Sequence, residues 1–155
     1  MEKIEYREVM DKSEWARGPW DDEPDKIQWQ DEETGLPCLI VRNWMGALCG
    51  YVGVAPGHPF YEKGYDNLPI NVHGGLTYAR GCMEGVLEKE AICHIPAKGE
   101  PDHAWWFGFD CAHYNDYCPE RPMESNSYGK FCYRDVGYVQ DQCRILAKQL
   151  KAITE

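Results

Sequence analysis

The stretch from Ala104 to Asp116 most constrains how this chain can fold, because a dense aromatic run is followed at once by polar and ionisable side chains. Its aromatic members have the bulk and the β-propensity of a buried strand: Trp105, Trp106, Phe107 and Phe109. Gly108, inside the run, leaves room for a close neighbour or a bulge. A rigid strand that delivers acids and a histidine at its end is a common way to build a site. The sequence therefore predicts a site directly after this strand.

The candidate site joins His73 to Asp110, His113 and Asp116. The last three residues are spaced i, i+3 and i+6, so one helical turn or a tight loop would direct them the same way. Carboxylate and imidazole groups together suit a divalent metal, zinc or manganese first, and a bound metal would turn a water molecule into a hydrolytic nucleophile. No established metal signature such as His-Glu-x-x-His is present. Two alternatives stay open: a metal-free ligand or catalytic site, and a purely structural polar network.

A thiolate nucleophile is a further alternative, because Cys111 and His113 share a face if the strand continues through them. Serine chemistry has less support, since no serine lies in a Gly-x-Ser-x-Gly sequence. The chain also lacks a Walker loop and a dinucleotide-binding fingerprint. These absences in the sequence argue against a P-loop nucleoside triphosphatase and against a Rossmann enzyme.

A pocket also needs walls. Aromatic side chains that could stack on a base or another planar ligand are Tyr61, Tyr65, Tyr78, Trp105 and Tyr114. Arg42 and Arg80 are the charge partners expected for a phosphate. We assign ligand binding to Tyr61, Tyr78, Arg80 and Trp105, which keeps a nucleotide among the candidate ligands.

The charge of the chain is acidic and uneven. Its 155 residues carry a formal net charge of −10, and residues 1–35 hold twelve acids and five bases, a net of −7. Phosphate binding relies on Lys and Arg, so direct nucleic-acid binding is not expected. The acidic segment could instead meet a basic surface of a host protein, including one that normally holds nucleic acid. The simpler alternative is a solvated surface that keeps the protein in solution.

Eight cysteines occur, none in a Cys-x-x-Cys pair, so the spacing of a zinc ribbon is absent. The first residues are charged, unlike a signal peptide, and no apolar stretch approaches the roughly 20 residues of a membrane span. Several cysteines have apolar neighbours, among them Cys38, Cys93 and Cys143. We therefore expect reduced core thiols in a cytoplasmic protein that does not enter a membrane.

Strand-like patterns recur through much of the chain. The candidate strands are residues 26–30, 38–41, 47–54, 70–78, 91–95 and 104–111. The first three predict an antiparallel meander in which the continuous apolar run 38–41 is central. Residues 91–111 predict a second hairpin. Gly and Pro in residues 55–69 predict a loop, and a second long loop is expected over residues 114–134.

The clearest helix lies at the C-terminal end. Apolar residues recur there at helical spacing: Val139, Cys143, Leu146, Leu150 and Ile153. Asp135 is the expected N-cap. A short helix is also expected around residues 6–16, and residues 79–91 carry a weak helical stripe. These patterns predict one α+β domain over residues 1–155, with a mostly antiparallel sheet of five or six strands and the C-terminal helix packed on one face.

Five phrases stand out as a set: Gly18-Pro-Trp-Asp-Asp-Glu-Pro-Asp-Lys26, Gly35-Leu-Pro-Cys-Leu39, Gly57-His-Pro59, Val72-His-Gly-Gly-Leu-Thr-Tyr78 and Trp105-Trp-Phe-Gly-Phe-Asp-Cys-Ala-His113. As a set they resemble an uncharacterised family of small bacteriophage and prophage proteins, from about Trp15 to the C-terminal helix. That family brings no assigned activity, cofactor or catalytic residues. The resemblance implies an accessory protein, made in the cytoplasm of an infected or lysogenic bacterium, and an association with the modulation of host enzymes or host defence.

These features together predict a phage accessory protein with a polar pocket at His73 and Asp110–Asp116. The pocket would bind a metal or a small ligand, and an enzyme built on it would be a metal-dependent hydrolase. The competing hypothesis is a non-catalytic acidic protein that inhibits a host defence factor. The two differ in what they need: the first requires a formed site around His73 and Asp110, and the second requires only surface.

Overall fold

The computed structural model of this protein describes residues 1–100, 103–120 and 131–153. Within them, six strands form one antiparallel sheet: β1 (Ile4–Tyr6), β2 (Lys26–Gln30), β3 (Pro37–Arg42), β4 (Leu48–Val54), β5 (Tyr78–Gly81) and β6 (Trp105–Asp110). A 3-10 helix (Pro19–Asp22) precedes β2, and helix α1 (Val136–Ala152) follows the sheet. The strand order is β1-β2-β3-β4-β6-β5. The predicted α+β class, with an antiparallel sheet and a C-terminal helix packed on it, is confirmed.

The aromatic strand β6 pairs with β4, which is central in the sheet together with β3. In the register of this pair, Val52 lies opposite Phe107 and Gly50 lies opposite Phe109. A Cβ atom on Gly50 would come within 2.4 Å of the Phe109 ring and 2.8 Å of Cys143 Sγ, so only glycine fits there. This close approach lets α1 lie directly over the middle of the sheet.

The main core lies between the sheet and α1. The helix buries Val139, Cys143, Leu146, Ala147 and Leu150. Four of these belong to the apolar stripe predicted from the sequence, and Ala147 is an additional buried residue. Ile153 instead follows the helix as its C-cap. The helix begins as expected, because the Asp135 side chain accepts a hydrogen bond from the backbone N–H of Tyr138.

The other face of the sheet carries a second, smaller core of Leu39, Cys49, Tyr51 and Trp106. The segment after β5 covers this face, and it contains a disulfide between Cys82 and Cys93. Hydrogen bonds also fix the segment: the buried Gln28 side chain accepts one from Ile95 N–H at 2.8 Å and donates one to Ile95 C=O at 3.2 Å.

Several predicted elements are wrong. Residues 91–95 form no strand and residues 91–111 no hairpin, because a side chain, Gln28, takes the backbone bonds of Ile95 and β6 pairs with β4 and β5 instead. Residues 79–91 form no helix; the first of them belong to β5.

The strand predicted over residues 70–78 begins only at Tyr78. Before it, the Gln149 side chain of α1 holds both backbone groups of Asn71, at 2.8 Å each. Gly74 and Gly75 then turn the chain with φ angles of +68° and +79°. The bonds from Gln149 take the place of the inter-strand hydrogen bonds that a strand would need, and the glycine turn interrupts an extended backbone.

The helix predicted around residues 6–16 is also absent. The backbone N–H groups of Val9 and Met10 both donate to the Asp25 carboxylate, at 2.9 and 2.8 Å, so a side chain from elsewhere takes bonds that would otherwise be helical. The acidic segment 1–35 is nevertheless built into the fold, since it supplies β1 and β2 and buries Trp20. The loop predicted over 114–134 lies partly outside the described residues. No described helix combines the length and the apolar character needed to cross a membrane.

Candidate functional site at the end of β6

The chain turns tightly after Asp110, where β6 ends. Ala112 N–H donates to Asp110 Oδ1 at 3.0 Å, and Asp116 N–H donates to His113 C=O at 2.9 Å. An isolated bridge between Asp116 and Cys132 then brings the residues before α1 alongside this turn. Two parts of the sequence that are distant along the chain therefore meet here.

His73 is fixed from three directions. Its backbone N–H donates to the Gln142 side chain of α1 at 2.9 Å. Its ring Nδ1 lies 2.7 Å from the Tyr138 hydroxyl, and its Nε2 lies 2.8 Å from Asp116 Oδ2. The side chain is only 12% exposed, so the ring has one well-defined position.

The Asp116 side chain is 1% exposed and accepts hydrogen bonds from three other residues of the site. Oδ2 accepts hydrogen bonds from His73 Nε2–H and from the backbone N–H of His113 at 3.0 Å, while Oδ1 accepts one from Arg134 Nε–H at 2.9 Å. A carboxylate that pairs with a guanidinium only accepts. Nε2 of a neutral His73 therefore carries the proton, and Nδ1 accepts from the Tyr138 hydroxyl.

Tyr138 and Arg134 complete the arrangement. The Arg134 guanidinium lies over the Tyr138 ring, with Cζ 4.9 Å from its centroid, a cation–π contact. Burial raises the pKa of the Tyr138 phenol by more than the nearby Arg134 charge lowers it. The hydrogen bond to Asp116 raises the pKa of Arg134. Both shifts favour the protonated forms, a phenol at Tyr138 and a guanidinium at Arg134.

His113 lies beside this chain of hydrogen bonds. Its ring centroid is 6.2 Å from that of His73. Its Nε2 lies 3.2 Å from Asp110 Oδ1, within ion-pair range but not aligned for a hydrogen bond. The ring packs directly on Gly74, where a Cβ atom would come within 2.2 Å of it.

The four residues predicted as metal ligands, His73, Asp110, His113 and Asp116, thus lie together at one end of the sheet. Asp116 Oδ2 contacts His73 Nε2 at 2.8 Å and the backbone N–H of His113 at 3.0 Å, and His113 Nε2 lies 3.2 Å from Asp110 Oδ1. Both ring nitrogens of His73 are engaged with other groups. Among the residues that the structure describes, the group whose ligand atoms lie within 4.8 Å of one another is a different one, Cys82, Cys93 and His94. A metal at the predicted four stays a prediction.

The predicted ligand-binding residues divide between the two faces of the sheet. Tyr61 and Trp105 pack on the helix side, with ring centroids 6.2 Å apart, and Trp105 Nε1–H donates to Lys63 C=O at 2.9 Å. Tyr78 lies on the other face, edge-on to Tyr51 at 5.2 Å. Arg80 is exposed. These four side chains do not line the His73 site.

Arg42, expected as a phosphate partner, is buried instead. Its side chain is fully covered and pairs with Asp25 at 2.7 Å. It also donates to Gly46 C=O at 2.9 Å and to the Tyr133 hydroxyl at 2.7 Å. Its donors serve the fold, which corrects the expectation of a phosphate contact.

The cysteines follow the prediction of reduced core thiols with one correction. Cys93 forms a disulfide with Cys82, because the segment after β5 folds back and brings their Cα atoms to 4.7 Å. The free cysteines are Cys38, Cys49, Cys111, Cys118, Cys132 and Cys143. Burial raises the pKa of the Cys111 thiol, which argues against the alternative of a thiolate nucleophile at that position.

No family model, curated protein or solved structure matches this chain, so the geometry of the side chains carries the functional argument. Sequence reasoning missed Tyr138 and Arg134, which contribute half of the hydrogen-bonded chain. The available signal was the polar Tyr133-Arg134-Asp135 that directly precedes the helix. It also missed His94. This residue directly follows Cys93, and adjacent cysteine and histidine residues are not one of the usual metal-ligand spacings.

Proposed function

We propose that the end of β6 is a small-molecule site with acid–base chemistry, in which Tyr138 supplies the reacting hydroxyl, His73 is its base and Asp116 orients the imidazole. The single observation that carries this proposal is the chain Tyr138–His73–Asp116, with contacts of 2.7 and 2.8 Å. A hydroxyl, an imidazole and a carboxylate in this order are the recurring elements of an activated nucleophile.

Burial raises the pKa of the Tyr138 phenol, so its hydroxyl needs a base in contact with it to remove the proton. His73 Nδ1 is placed to take that proton as the phenol oxygen bonds to the acyl carbon of an ester. The imidazolium formed is stabilised by the Asp116 carboxylate, and its proton goes to the departing alkoxide. Water then attacks the acyl-tyrosine with His73 again as base, which releases the acid and restores the phenol.

The neighbouring groups supply contacts for a ligand. The side chains of His113 and Asp110 are 35% and 29% exposed, so both are within reach of solvent beside the buried chain of hydrogen bonds. His113 Nε2 is itself buried, 3.2 Å from Asp110 Oδ1, so a ligand would contact the exposed part of the His113 ring and the Asp110 side chain. The site therefore suits a small polar carboxylic ester better than an apolar ligand.

The cellular role that we propose rests on the resemblance of the sequence to phage proteins. We propose an accessory protein of the infected bacterial cytoplasm that hydrolyses or sequesters a small metabolite. Neither a metal nor a nucleotide is needed for the chemistry above. A divalent metal at His73 would have to displace the Tyr138 hydroxyl or Asp116 from a ring nitrogen.

An aryl sulfonyl fluoride tests the reactivity of the Tyr138 hydroxyl, because the phenol oxygen displaces fluoride once its proton is removed. Labelling is mapped by peptide mass spectrometry on the wild type, on His73→Gln and on the control His58→Gln. The control removes another histidine that contacts α1, through Leu150 C=O at 2.8 Å.

We expect Tyr138 to react faster than Tyr114, although Tyr114 is 87% exposed. His73→Gln should slow the labelling of Tyr138 by about 10²-fold or more, as loss of a general base does, and His58→Gln should leave it unchanged. A Tyr138 that reacts more slowly than Tyr114, or equally fast in His73→Gln, would show that the chain of hydrogen bonds is structural.

The second candidate function is the inhibition of a host protein by the surface of this chain. The observation that favours it is a pair of exposed aromatic residues in adjacent loops, Trp44 at 66% and Tyr114 at 87% exposure. The loops are joined by the hydrogen bond from Glu120 N–H to Met45 C=O at 3.0 Å. Exposed aromatic side chains on a chain with a net charge of −10 fit a basic protein surface.

Expression in the host bacterium separates the two candidates, with growth and resistance to phage infection as the readout. An effect that survives Tyr138→Phe and disappears in Trp44→Ser/Tyr114→Ser supports the interaction surface. An effect lost in Tyr138→Phe alone supports the acid–base site.

A further inference from the structure

Cys82, Cys93 and His94 form a compact group on the face of the sheet opposite α1. Their ligand atoms, the two Sγ atoms and one imidazole nitrogen, all lie within 4.8 Å of one another. The segment that carries Cys93 and His94 returns over Trp106, and the Met83 N–H donates to Ile92 C=O at 3.3 Å to hold the two parts together. The fold therefore brings the three side chains together without a Cys-x-x-Cys spacing.

We propose that in the reduced protein Cys82, Cys93 and His94 bind one zinc ion, which replaces the disulfide as the link across this segment. Two thiolates and an imidazole are a donor set that zinc prefers, and three protein ligands leave the fourth tetrahedral position to a water molecule. Of the three ligands, His94 also lines a pocket of about 310 Å³ together with Glu100 and His103.

The surroundings suit a metal–thiolate centre. Trp106 is fully buried, and its Nε1–H donates to Cys82 Sγ at 3.4 Å. Hydrogen bonds of this kind orient metal ligands and stabilise the negative charge of a thiolate. The Trp106 ring also lies edge-on to His94 at 5.2 Å and limits the rotation of the imidazole. One buried side chain thus positions two of the three ligands.

The remaining cysteines indicate why the reduced form matters. Six of the eight are free, and five of these six are buried. A chain with this many free thiols suits a reducing compartment, where isolated disulfides do not persist. In such a compartment the Cys82–Cys93 bond would be open, and the two thiols would remain close to His94.

The conversion requires a reductant and releases protons. A dithiol reductant supplies two electrons and two protons, which open the Cys82–Cys93 bond to two thiols while the reductant becomes a disulfide. Zn²⁺ then binds the two sulfurs as thiolates and displaces both protons. Oxidation by a disulfide-class oxidant runs the sequence backwards and expels the ion.

Cobalt substitution tests the site directly. The full-length protein is reduced with a phosphine, freed of metal with a chelator and titrated with Co²⁺ without oxygen. We expect one equivalent to bind, with near-ultraviolet absorption from thiolate-to-cobalt charge transfer and the intense visible bands of a tetrahedral ion. Zn²⁺ should displace it. Cys82→Ser and His94→Gln should weaken binding at least tenfold, and the exposed Cys132→Ser should not.

A second measurement needs no variant and covers the case in which Cys82→Ser fails to fold. Reduced wild-type protein is alkylated with N-ethylmaleimide with and without Zn²⁺, and the modified cysteines are mapped by mass spectrometry. Zinc should slow the alkylation of Cys82 and Cys93 and leave that of Cys132 unchanged. Equal rates with and without zinc, or cobalt bands without a thiolate contribution, would overturn the proposal. The second outcome would instead place the ion at oxygen and nitrogen ligands such as His73 and Asp116.

Discussion

Gly74 shows how a single missing side chain holds the candidate site in place. Its φ of +68° belongs to the left-handed region, and a Cβ atom there would come within 2.2 Å of the His113 ring. The residue therefore does two things at once: it turns the chain after His73 and it leaves the space that His113 fills. Its neighbour Gly75, with φ +79°, has no atom within 4 Å of its would-be Cβ.

Gly74→Ala should therefore destabilise the protein more than Gly75→Ala. Both variants place alanine at a left-handed backbone, a strain of about 1–3 kcal/mol. Only Gly74→Ala adds a collision with the His113 ring, so its free energy of unfolding should fall further. Urea unfolding of both variants measures the difference. Equal losses would mean that His113 moves away freely and that the observed packing is not restrictive.

Arg42 gives a second prediction at the scale of one residue. Its buried guanidinium pairs with Asp25, whose carboxylate also meets Lys12 Nζ at 2.8 Å. Burial alone would raise the pKa of Asp25, but its hydrogen-bond donors outweigh burial and lower it. Arg42→Met should cost about 3–5 kcal/mol, because it leaves a buried carboxylate short of a partner.

The matched control is Arg80→Met, since Arg80 is exposed and a surface change of this kind falls within about 0.5 kcal/mol. Adding Asp25→Asn to Arg42→Met should recover part of the loss by removing the unpaired charge. Thermal and urea unfolding measure all three. An Arg42→Met protein as stable as Arg80→Met would contradict the buried ion pair.

At the scale of elements, helix α1 both closes the core and supports the site. Its buried side chains cover the sheet, while the polar Gln142 and Tyr138 hold His73 from the same helix. One element therefore couples stability to the geometry of the site. A change in how the helix packs should move the His73 ring relative to Asp116.

Leu146→Ala should lower the free energy of unfolding by about 2–5 kcal/mol, the usual range for a fully buried leucine, because it opens a cavity between helix and sheet. Ile145→Ala is the matched control on the next residue, since Ile145 is 46% exposed. Its effect should be far smaller. Urea unfolding distinguishes the two, and a similar cost for both would refute the observed face of the helix.

For the whole molecule, the many buried thiols imply instability in alkali. Burial raises the pKa of Cys38, Cys49, Cys111 and Cys143 above the ordinary value of 9.0, and that of Cys49 to about 12. The folded protein therefore keeps protons that the unfolded chain loses above pH 9. A raised pKa of this kind stabilises the fold below the unfolded pKa, and that stability is lost as the pH rises towards the folded value.

Lys26 acts in the opposite direction. Burial lowers the pKa of Lys26 from 10.5 to about 8, because it outweighs the negative charge of Glu88, which raises this pKa. Between pH 8 and pH 10.5 the unfolded chain therefore binds more protons at Lys26 than the folded protein does. One lysine opposes four thiols, and each fully titrating group changes the slope by about 1.4 kcal/mol per pH unit. Stability should therefore fall between pH 9 and pH 10.5.

Urea unfolding under a reductant at pH 7, 9 and 10 measures this slope. Cys49→Ala should reduce it by close to one proton, whereas Cys132→Ser, at an exposed position, should leave it unchanged. A stability that is constant up to pH 10 would contradict the protonated state of the buried thiols.

The sequence by itself determined the elements whose own residues carry a complete pattern. The aromatic run specified β6, the continuous apolar run specified the central strand β3, and Asp135 with the stripe after it specified α1. Local periodicity is sufficient in these cases because it states which face of an element must leave water. It also correctly placed polar groups at the end of β6.

Only the tertiary structure decided what those polar groups contact. His73 meets Tyr138 and Asp116 because α1 crosses the sheet beside the turn at Gly74, and Cys82 meets Cys93 because the segment after β5 returns over Trp106. Such contacts depend on strand order and on bonds between side chains and backbone that leave no period in the sequence. The same reason explains residues 70–77 and 91–95, where Gln149 and Gln28 take backbone bonds that a strand would have used.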